Sequence, residues 1–197
     1  MTVIAVAISG GVDSLVAAFL LKQQGHDIFG IHFLTGYEAH RSGSIAPASK
    51  PPDITSIERQ LGTPIEILDM SETFRQTVVA YFTATYQAGR TPNPCLFCNP
   101  TIKFGHILSH VQQRGADALA TGHYARVKRE AGVSLLCRSV DERKDQTYFL
   151  WGIPRADLVH TRLPLGELTK AEVRALAREA GLRTAEKPDS QEICFVP

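Results

Sequence analysis

The chain opens on the stretch that decides its fold, Val3-Ile4-Ala5-Val6-Ala7-Ile8-Ser9-Gly10-Gly11-Val12-Asp13-Ser14. Its first six residues are continuously apolar, which is typical of a strand covered on both faces in a parallel sheet. Ser9-Gly10-Gly11 breaks the strand, and residues 12–24 read as a helix closed by Gly25. A glycine turn at a helix N-terminus offers free N–H groups and a positive dipole end to an anion. Because this turn lacks the lysine of a Walker A motif, γ-phosphoryl transfer is disfavoured.

Strands and helices alternate along the rest of the chain. Strands are predicted at 28–33, 64–68 and 119–121, with a small hairpin at 127–138. Helices are predicted from Asp53 through Gln60, over residues 74–85, and from a capping box at Thr169–Glu172 to Gly181. Residues 36–52 are polar and turn-rich, which predicts a mobile loop. The pattern predicts an α/β fold, an open doubly wound parallel sheet with a small hairpin and helical C-terminal extension.

Composition excludes several classes of protein. The 197 residues carry 21 basic against 20 acidic side chains, so a net charge of +1 gives no general attraction to nucleic acid. A hydrophobic content of 44% excludes a disordered chain. No apolar run is long enough to span a bilayer, and the N-terminus has no basic region typical of a signal peptide. The expected compartment is the cytoplasm.

Four cysteines in such a chain indicate reactive or ligating thiols more than a disulfide scaffold. Cys95 and Cys98 form a Cys-x-x-Cys pair, which fits half a zinc site, a redox pair or two ligands of an iron–sulfur cluster. Cys194 offers a third thiol, and Cys137 lies in an apolar strand where a buried, inert thiol is expected. A helix predicted to begin near Pro100 would give the preceding Cys98 thiolate character.

Six motifs in order give the chain a family resemblance: Gly10-Gly11-Val12-Asp13-Ser14, Arg90-Thr91-Pro92-Asn93-Pro94, Ile102-Lys103-Phe104-Gly105, Ala120-Thr121-Gly122-His123-Tyr124, Lys144-Asp145-Gln146-Thr147-Tyr148-Phe149-Leu150 and Asp189-Ser190-Gln191-Glu192-Ile193-Cys194-Phe195. Together they resemble the tRNA-specific 2-thiouridylases, within the PP-loop N-type ATP pyrophosphatase superfamily and its adenine nucleotide alpha-hydrolase-like fold. The resemblance is to the N-terminal catalytic domain of that family. It implies a catalytic domain over residues 1–150 and, over 151–197, an extension that carries the second reactive cysteine and packs on the same domain.

The resemblance implies an enzyme that adenylates the C2 oxygen of the wobble uridine in tRNA and replaces it with sulfur, giving 2-thiouridine, AMP and pyrophosphate. Such chemistry suits a poor electrophile, because AMP becomes the leaving group. ATP and Mg²⁺ are the implied cofactors. By resemblance the ATP-binding residues are Ala7, Ile8, Ser9, Gly10, Gly11, Val12, Asp13, Ser14, Phe33 and Gly122.

The resemblance also assigns the thiols. Cys194 would carry a persulfide from a sulfur-donor protein, and Cys98 would resolve it by forming a disulfide. The target base would contact Asn93, Pro94 and Cys95. The tRNA would contact Lys144, Asp145 and Gln146. A second mechanism stays open at this point, in which Cys95, Cys98 and Cys194 hold a [4Fe-4S] cluster whose open iron binds the incoming sulfur. His123 is left outside the catalytic set, because an isolated histidine is more often structural.

The chain departs from the family pattern in two ways. Residues 37–50 lack the expected acidic and aromatic pattern, so the cover over the nucleotide is expected to differ. Family members also continue well beyond the position of Pro197, so a further C-terminal domain or a partner is expected to help grip tRNA. Two other functions stay open: an ATP pyrophosphatase or sulfurtransferase acting on a smaller substrate or a partner-held tRNA, and a non-catalytic nucleotide- or metal-binding module.

Overall fold

A five-stranded parallel sheet forms the centre of the protein. The computed structural model describes residues 2–37, 53–189 and 193–196. The strands are β1 (Val3–Ala7), β2 (Asp27–Leu34), β3 (Ile65–Asp69), β4 (Ala118–Ala120) and β7 (Thr161–Arg162), in the spatial order β3-β2-β1-β4-β7. Strands β5 (Ala125–Glu130) and β6 (Val133–Arg138) form a separate antiparallel hairpin. The predicted open α/β sheet and its hairpin are confirmed.

Helices cover both faces of this sheet. They are α1 (Val12–Gln23), α2 (Ile54–Leu61), α3 (Ser71–Phe74), α4 (Ala80–Gln87), α5 (Pro94–Cys98), α6 (Leu108–Gln113), α7 (Thr147–Leu150), α8 (Arg155–Leu158) and α9 (Lys170–Glu179). Among the described residues, no helix combines the length and the apolarity needed to cross a bilayer. The predicted loop at 36–52 lies mostly outside the described residues.

The continuous apolar run of β1 is buried because both of its faces meet a core. Successive side chains of a strand point to opposite faces. Ile4 and Val6 accordingly join the core formed with α1 and α9, and Ala5 joins the core on the opposite face with Phe74 and Ile102. Because β1 is the central strand of the five, its carboxyl end and the glycine turn that follows it lie in the middle of the sheet edge.

Local signals in the sequence set several helix ends. The carboxylate of Asp53 accepts a hydrogen bond from Ser56 N at 3.0 Å and caps α2. The predicted capping box opens α9: Thr169 N donates to Glu172 Oε2 at 2.7 Å, and Glu172 N donates to Thr169 Oγ1 at 3.3 Å. The box fixes Lys170 as the first residue of that helix.

Two helices contain π-helical segments that the sequence does not predict. Residues Arg75–Val79 join α3 to α4, and Asn99–Ile107 join α5 to α6 into one helix over residues 94–113. In the second segment a Cβ at Gly105 would lie 2.9 Å from Pro100 O, so the close approach of that carbonyl favours glycine. π-helical turns are rare and frequently occur at functional sites.

The C-terminal part of the chain packs against the rest. Strand β7, which the sequence does not predict, pairs with β4 and completes the sheet. Helix α9 packs on α1 through Val173 and Ala177, which are fully buried. This packing brings residues near 170 and 189 to the glycine turn.

Candidate functional site

The turn after β1 has the conformation of an anion-binding loop. Gly10 has φ +76°, which favours glycine, and Gly11 caps α1 without a side-chain hydrogen bond. The Ser14 hydroxyl donates to Gly11 O at 3.0 Å and lies 3.3 Å from Ser9 N. Ala7 and Ile8 lead into this turn from β1, and Val12 begins α1 behind it. The loop therefore presents its backbone N–H groups at a helix N-terminus, where an anion is favoured.

Gly122 lies directly against this loop. A Cβ at Gly122 would be 2.7 Å from Asp13 C and 2.8 Å from Ser14 N. Real Cβ atoms do not approach backbone atoms so closely, so only glycine fits without moving the loop. The structure thus brings Gly122, at the end of β4, together with the residues predicted to hold phosphate.

A lysine that the sequence did not single out contacts the loop. Lys170 Nζ lies 2.7 Å and 2.9 Å from the two carboxylate oxygens of Asp13, and 2.8 Å from Asp189 Oδ1. The Tyr124 hydroxyl donates to Asp13 Oδ1 at 2.8 Å, and Lys170 Nζ lies 5.7 Å from the centre of the Tyr124 ring. Only 12% of the Lys170 side chain is exposed. This ammonium therefore joins the glycine loop to the C-terminal segment.

Asp189 is the acidic centre of a cluster of cations. It accepts from Lys144 Nζ at 2.7 Å and lies 3.2 Å from Arg174 Nη2, in addition to its contact with Lys170. Burial alone would raise the pKa of Asp189, but hydrogen bonds from Lys144 and Lys170 outweigh it and lower the pKa to about 2. Lys187 Nζ also donates to Gly10 O at 3.2 Å. Two lysines, Lys170 and Lys187, therefore place positive charge at the glycine loop. Each is more than 100 residues from the loop along the chain, which explains why sequence patterns missed both.

Lys144, Asp145 and Gln146 have partners inside the molecule. Lys144 binds Asp189, as above. The Asp145 carboxylate accepts from Ser139 N at 2.7 Å and from the Thr147 hydroxyl at 3.0 Å. Gln146 Oε1 accepts from Tyr124 N at 2.9 Å. These contacts fix the turn before α7, and the assignment of the three residues to tRNA binding stays a prediction.

Cys98 lies inside a helix and not just before one, as was predicted. The helix begins at Pro94, and Cys98 is its fifth residue, continuous with the π-helical segment. Burial raises the pKa of Cys98 to about 11, although Lys103 opposes that rise. The prediction that a helix beginning near Pro100 activates Cys98 is therefore wrong, because the helix already begins at Pro94 and Cys98 lies inside it.

The three thiols of interest lie near one another. Cys95 and Cys194 are exposed, and both are close enough to Cys98 to raise its pKa through charge repulsion. Phe195 anchors the Cys194 segment, since its ring lies 5.1 to 5.9 Å from the rings of Phe82, Phe74 and Tyr37. Asn93 and buried Pro94 precede Cys95 at the start of α5.

The three thiols are not gathered around a single metal ion. Over residues 2–37, 53–189 and 193–196, no group of three or more His, Cys, Asp or Glu side chains is placed to hold such an ion. The [4Fe-4S] alternative at Cys95, Cys98 and Cys194 stays a prediction. Cys137 is half-buried in β6, not fully buried as predicted, and its thiol lies 3.8 Å from Leu135 O.

His123 is a half-buried side chain with partners at both ring nitrogens. Its Nδ1 lies 2.7 Å from Thr121 Oγ1 and its Nε2 lies 3.4 Å from Lys103 Nζ. Burial and the neighbouring Lys103 hold the pKa of His123 well below its ordinary value. Because the lysine can only donate, Nε2 accepts and the ring proton resides on Nδ1.

A cleft of about 480 Å³ lies at the carboxyl ends of β2 and β3. Its lining includes Thr35, Tyr37, Asp69, Ser71 and Arg75. Phe33, the predicted adenine contact, is half-buried near the end of β2 and packs against the Phe74 side of the core. The predicted cover over the nucleotide, residues 37–50, lies outside the described residues apart from Tyr37. The site thus occupies the carboxyl edge of the sheet, where ligands bind in open α/β folds.

Comparison with known proteins agrees with this architecture. The family model described as "tRNA methyl transferase HUP domain" matches residues 2–197. The chain is 42% identical to a tRNA-specific 2-thiouridylase MnmA of Clostridium perfringens, over 98% of this chain and 55% of that protein. It is 46% identical to the MnmA of Rhizobium johnstonii, over 100% of this chain and 50% of that protein. The chain thus spans about half the length of these curated relatives.

Among solved structures, a 4-thiouridine synthetase in complex with RNA and bound ATP superposes with a TM-score of 0.59. It is 17% identical, and the match covers 98% of this chain and 45% of that one. At this identity the superposition shows a shared fold. The overall architecture of this chain is therefore a known one.

Proposed function

This chain belongs to the tRNA methyl transferase HUP domain family, and from that membership we propose that it uses ATP to convert a uridine of tRNA to 2-thiouridine. One observation carries the proposal: the glycine loop and the Cys98 and Cys194 thiols share the carboxyl edge of the sheet. The helix over 94–113 precedes β4, so it runs antiparallel to the strands and begins at that edge. Cys98 therefore lies on the side of the sheet where the loop of residues 9–14 opens.

In the first step the C2 oxygen of uridine, the wobble uridine in our assignment, attacks the α-phosphorus of ATP. Pyrophosphate leaves and the uridine becomes adenylated at O2. The free N–H groups of residues 10–14 would bind the phosphates, Gly122 would let the nucleotide approach closely, and Phe33 would pack against the adenine. Mg²⁺ would enter with ATP as the counter-ion of its phosphates. The cations Lys170 and Lys187 add positive charge at the loop.

In the second step a persulfide on Cys194, supplied by a sulfur-donor protein, attacks C2 through its terminal sulfur. A C–S bond forms and AMP leaves with the former C2 oxygen. The Cys98 thiolate then attacks Cys194 Sγ, which forms the Cys98–Cys194 disulfide and releases the sulfur on C2 as 2-thiouridine. A dithiol reductant restores both thiols. The exposure of Cys194 supports its encounter with a donor protein, and the half-buried position of Cys98 supports its later, internal role.

The tRNA would meet the protein beside these thiols. We assign contact with the target base to Asn93, Pro94 and exposed Cys95, and contact with the rest of the tRNA to Lys144, Asp145 and Gln146. The net charge of +1 supports a grip on tRNA that is shared with a further protein surface. Four cysteines in a chain of this size fit reactive thiols in a reducing compartment, so the cytoplasm is the proposed place of action. We treat residues 1–150 as the catalytic domain and 151–197 as an extension of it.

A reconstituted reaction tests the proposal. The assay combines the full chain with ATP, a tRNA transcript and a persulfide donor, and it measures AMP, pyrophosphate and 2-thiouridine by mass spectrometry. Cys98→Ser and Cys194→Ser should abolish 2-thiouridine and retain tRNA-dependent pyrophosphate release. Cys137→Ser, which removes a half-buried thiol from the hairpin, is the matched control and should behave as wild type.

Two results would contradict the proposal. Undiminished 2-thiouridine in the Cys98→Ser/Cys194→Ser double variant would remove the thiol mechanism. ATP cleavage that is driven by a small carbonyl compound and not by tRNA would favour an ATP pyrophosphatase acting on a smaller substrate.

A further inference from the structure

Two aromatic side chains stand exposed on one face of α7 and the residue after it. The Tyr148 side chain is 62% exposed and Trp151 is 68% exposed. They are three residues apart, so they neighbour each other on the helical surface. Within the described residues, Trp151 is the most exposed of the large hydrophobic side chains. We call these two residues the aromatic pair.

The aromatic pair lies next to the helix that carries Cys95 and Cys98. Helix α7 packs against α5 and the π-helical segment. The Asn99 side chain donates to Phe149 O at 2.9 Å. A Cβ at Gly152 would lie 3.3 Å from Pro100 Cγ, so the backbone after Trp151 touches the start of the π-helical segment. These contacts place the backbone that carries the pair against the thiol-bearing helix.

A basic surface lies on the hairpin that α7 also contacts. Helices α7 and α8 pack against β6 of that hairpin. Residues 125–138 carry one acidic side chain, Glu130, against four basic ones, Arg126, Lys128, Arg129 and Arg138. Lys128, Arg129 and Arg138 are exposed. Helix α7 thus contacts both the thiol-bearing helix and a hairpin whose exposed cations attract phosphate.

The size of the exposed surface argues against a protein–protein interface. An aromatic side chain offers about 150–250 Å², so two such side chains at about two-thirds exposure present about 300 Å². A stable protein–protein interface buries about 800 Å² on each partner. A flat ring beside a basic surface instead matches an unpaired nucleotide, whose base stacks on the ring while its phosphate meets the cations.

We propose that Tyr148 and Trp151 form a stacking platform for unpaired bases of the RNA substrate, next to the thiols and continuous with the basic hairpin. The inference rests on the proposed function in one respect, namely that RNA is the substrate. It adds the surface on which a looped-out strand is held. Because every base has a π face, the platform accepts neighbours of the target uridine with little regard to their identity.

Fluorescence of Trp151 tests the platform directly, because the chain has one tryptophan. The full chain is titrated, without ATP or sulfur donor, with an anticodon stem-loop RNA and with a fully paired duplex of the same length. Stem-loop binding should quench the tryptophan emission, and the duplex should not. Trp151→Ala should weaken stem-loop affinity between about 5-fold and about 100-fold, and Trp151→Phe should retain most of it.

Tyr86→Ala is the matched control, since Tyr86 is an exposed aromatic residue on α4 at 54% exposure. It should leave stem-loop affinity unchanged. Wild-type affinity in Trp151→Ala, or no stem-loop binding by the chain at all, would overturn the platform. A Trp151→Ala variant that changed the oligomeric state and not RNA affinity would show that protein covers the pair, and it would overturn the inference as well. The thiolation assay decides the proposed function separately, because it scores 2-thiouridine and not affinity.

Discussion

Replacing Lys170 with methionine removes the ammonium that joins the glycine loop to the C-terminal segment. Lys170 Nζ contacts Asp13 at 2.7 and 2.9 Å and Asp189 at 2.8 Å. After the substitution Asp189 keeps Lys144 and Arg174, whereas Asp13 keeps the Tyr124 hydroxyl. The main cost is therefore an Asp13 carboxylate that has lost its cation. Methionine retains the apolar stem of the side chain.

The expected loss of stability follows from the exposure of the two charges. Breaking a buried pair costs about 3–5 kcal/mol, and breaking an exposed pair costs about 0–1 kcal/mol. The Lys170 side chain is 12% exposed and Asp13 is 32% exposed, which lies between these limits. We expect Lys170→Met to lower the free energy of unfolding by about 2 kcal/mol. For a chain of this length that corresponds to a fall in Tm of about 4–8 °C.

Urea and thermal unfolding at pH 7 measure this loss. Arg178→Met is the matched control, because Arg178 is on the same helix and pairs with Glu186 while both side chains are more than half exposed. That variant should lose less than about 1 kcal/mol. Equal losses in Lys170→Met and Arg178→Met would refute the reasoning, since the partly buried contact with Asp13 would then add nothing.

Two further predictions concern Gly122 and Cys98. Gly122→Ala should cost about 1–3 kcal/mol of stability and weaken ATP binding in calorimetry, because its Cβ would lie 2.7 Å from Asp13 C. Gly25→Ala is the control: a Cβ at Gly25 would meet no atom within 4 Å, so ATP binding should stay unchanged. Equal ATP affinity in both variants would contradict the role of close packing. Burial raises the pKa of Cys98 to about 11, and the thiolate is the reactive form of a cysteine. Alkylation of Cys98 by iodoacetamide at pH 8 should therefore be at least about tenfold slower than alkylation of a cysteine peptide. The rate of Cys98 alkylation should rise with pH until about pH 11. Peptide mass spectrometry measures the rate, and a plateau below pH 9 would show that the thiol is not desolvated.

The parts of the fold that were predicted correctly depend on local signals. The apolar run of β1, the Asp53 cap and the Thr169–Glu172 capping box each act within a few residues, so they can be recognised in the sequence. Strand β7 was missed because two residues are too few for a pattern, and its pairing with β4 depends on the rest of the fold.

The candidate site could be predicted only in part for the same reason. The glycine loop is a contiguous motif, whereas Lys170 reaches Asp13 across 157 positions of the chain. The pKa of Cys98 was predicted in the wrong direction because the sequence did not reveal that the helix begins at Pro94. Burial is the largest cause of the raised pKa of Cys98, and burial depends on how the rest of the chain packs around the thiol.

The π-helical segment at Asn99–Ile107 has a consequence for the orientation of the Cys-x-x-Cys pair. A π turn holds about one residue more than an α turn, and an α-helix completes a turn in about 3.6 residues. Residues before a π-helical segment are therefore rotated around the helix axis relative to an uninterrupted α-helix. Here Pro94–Cys98 are rotated in this way while Leu108 and Val111, after the segment, stay in the core. The winding of the backbone directly after Cys98 thus helps to set which thiol is exposed, Cys95, and which is half-buried, Cys98.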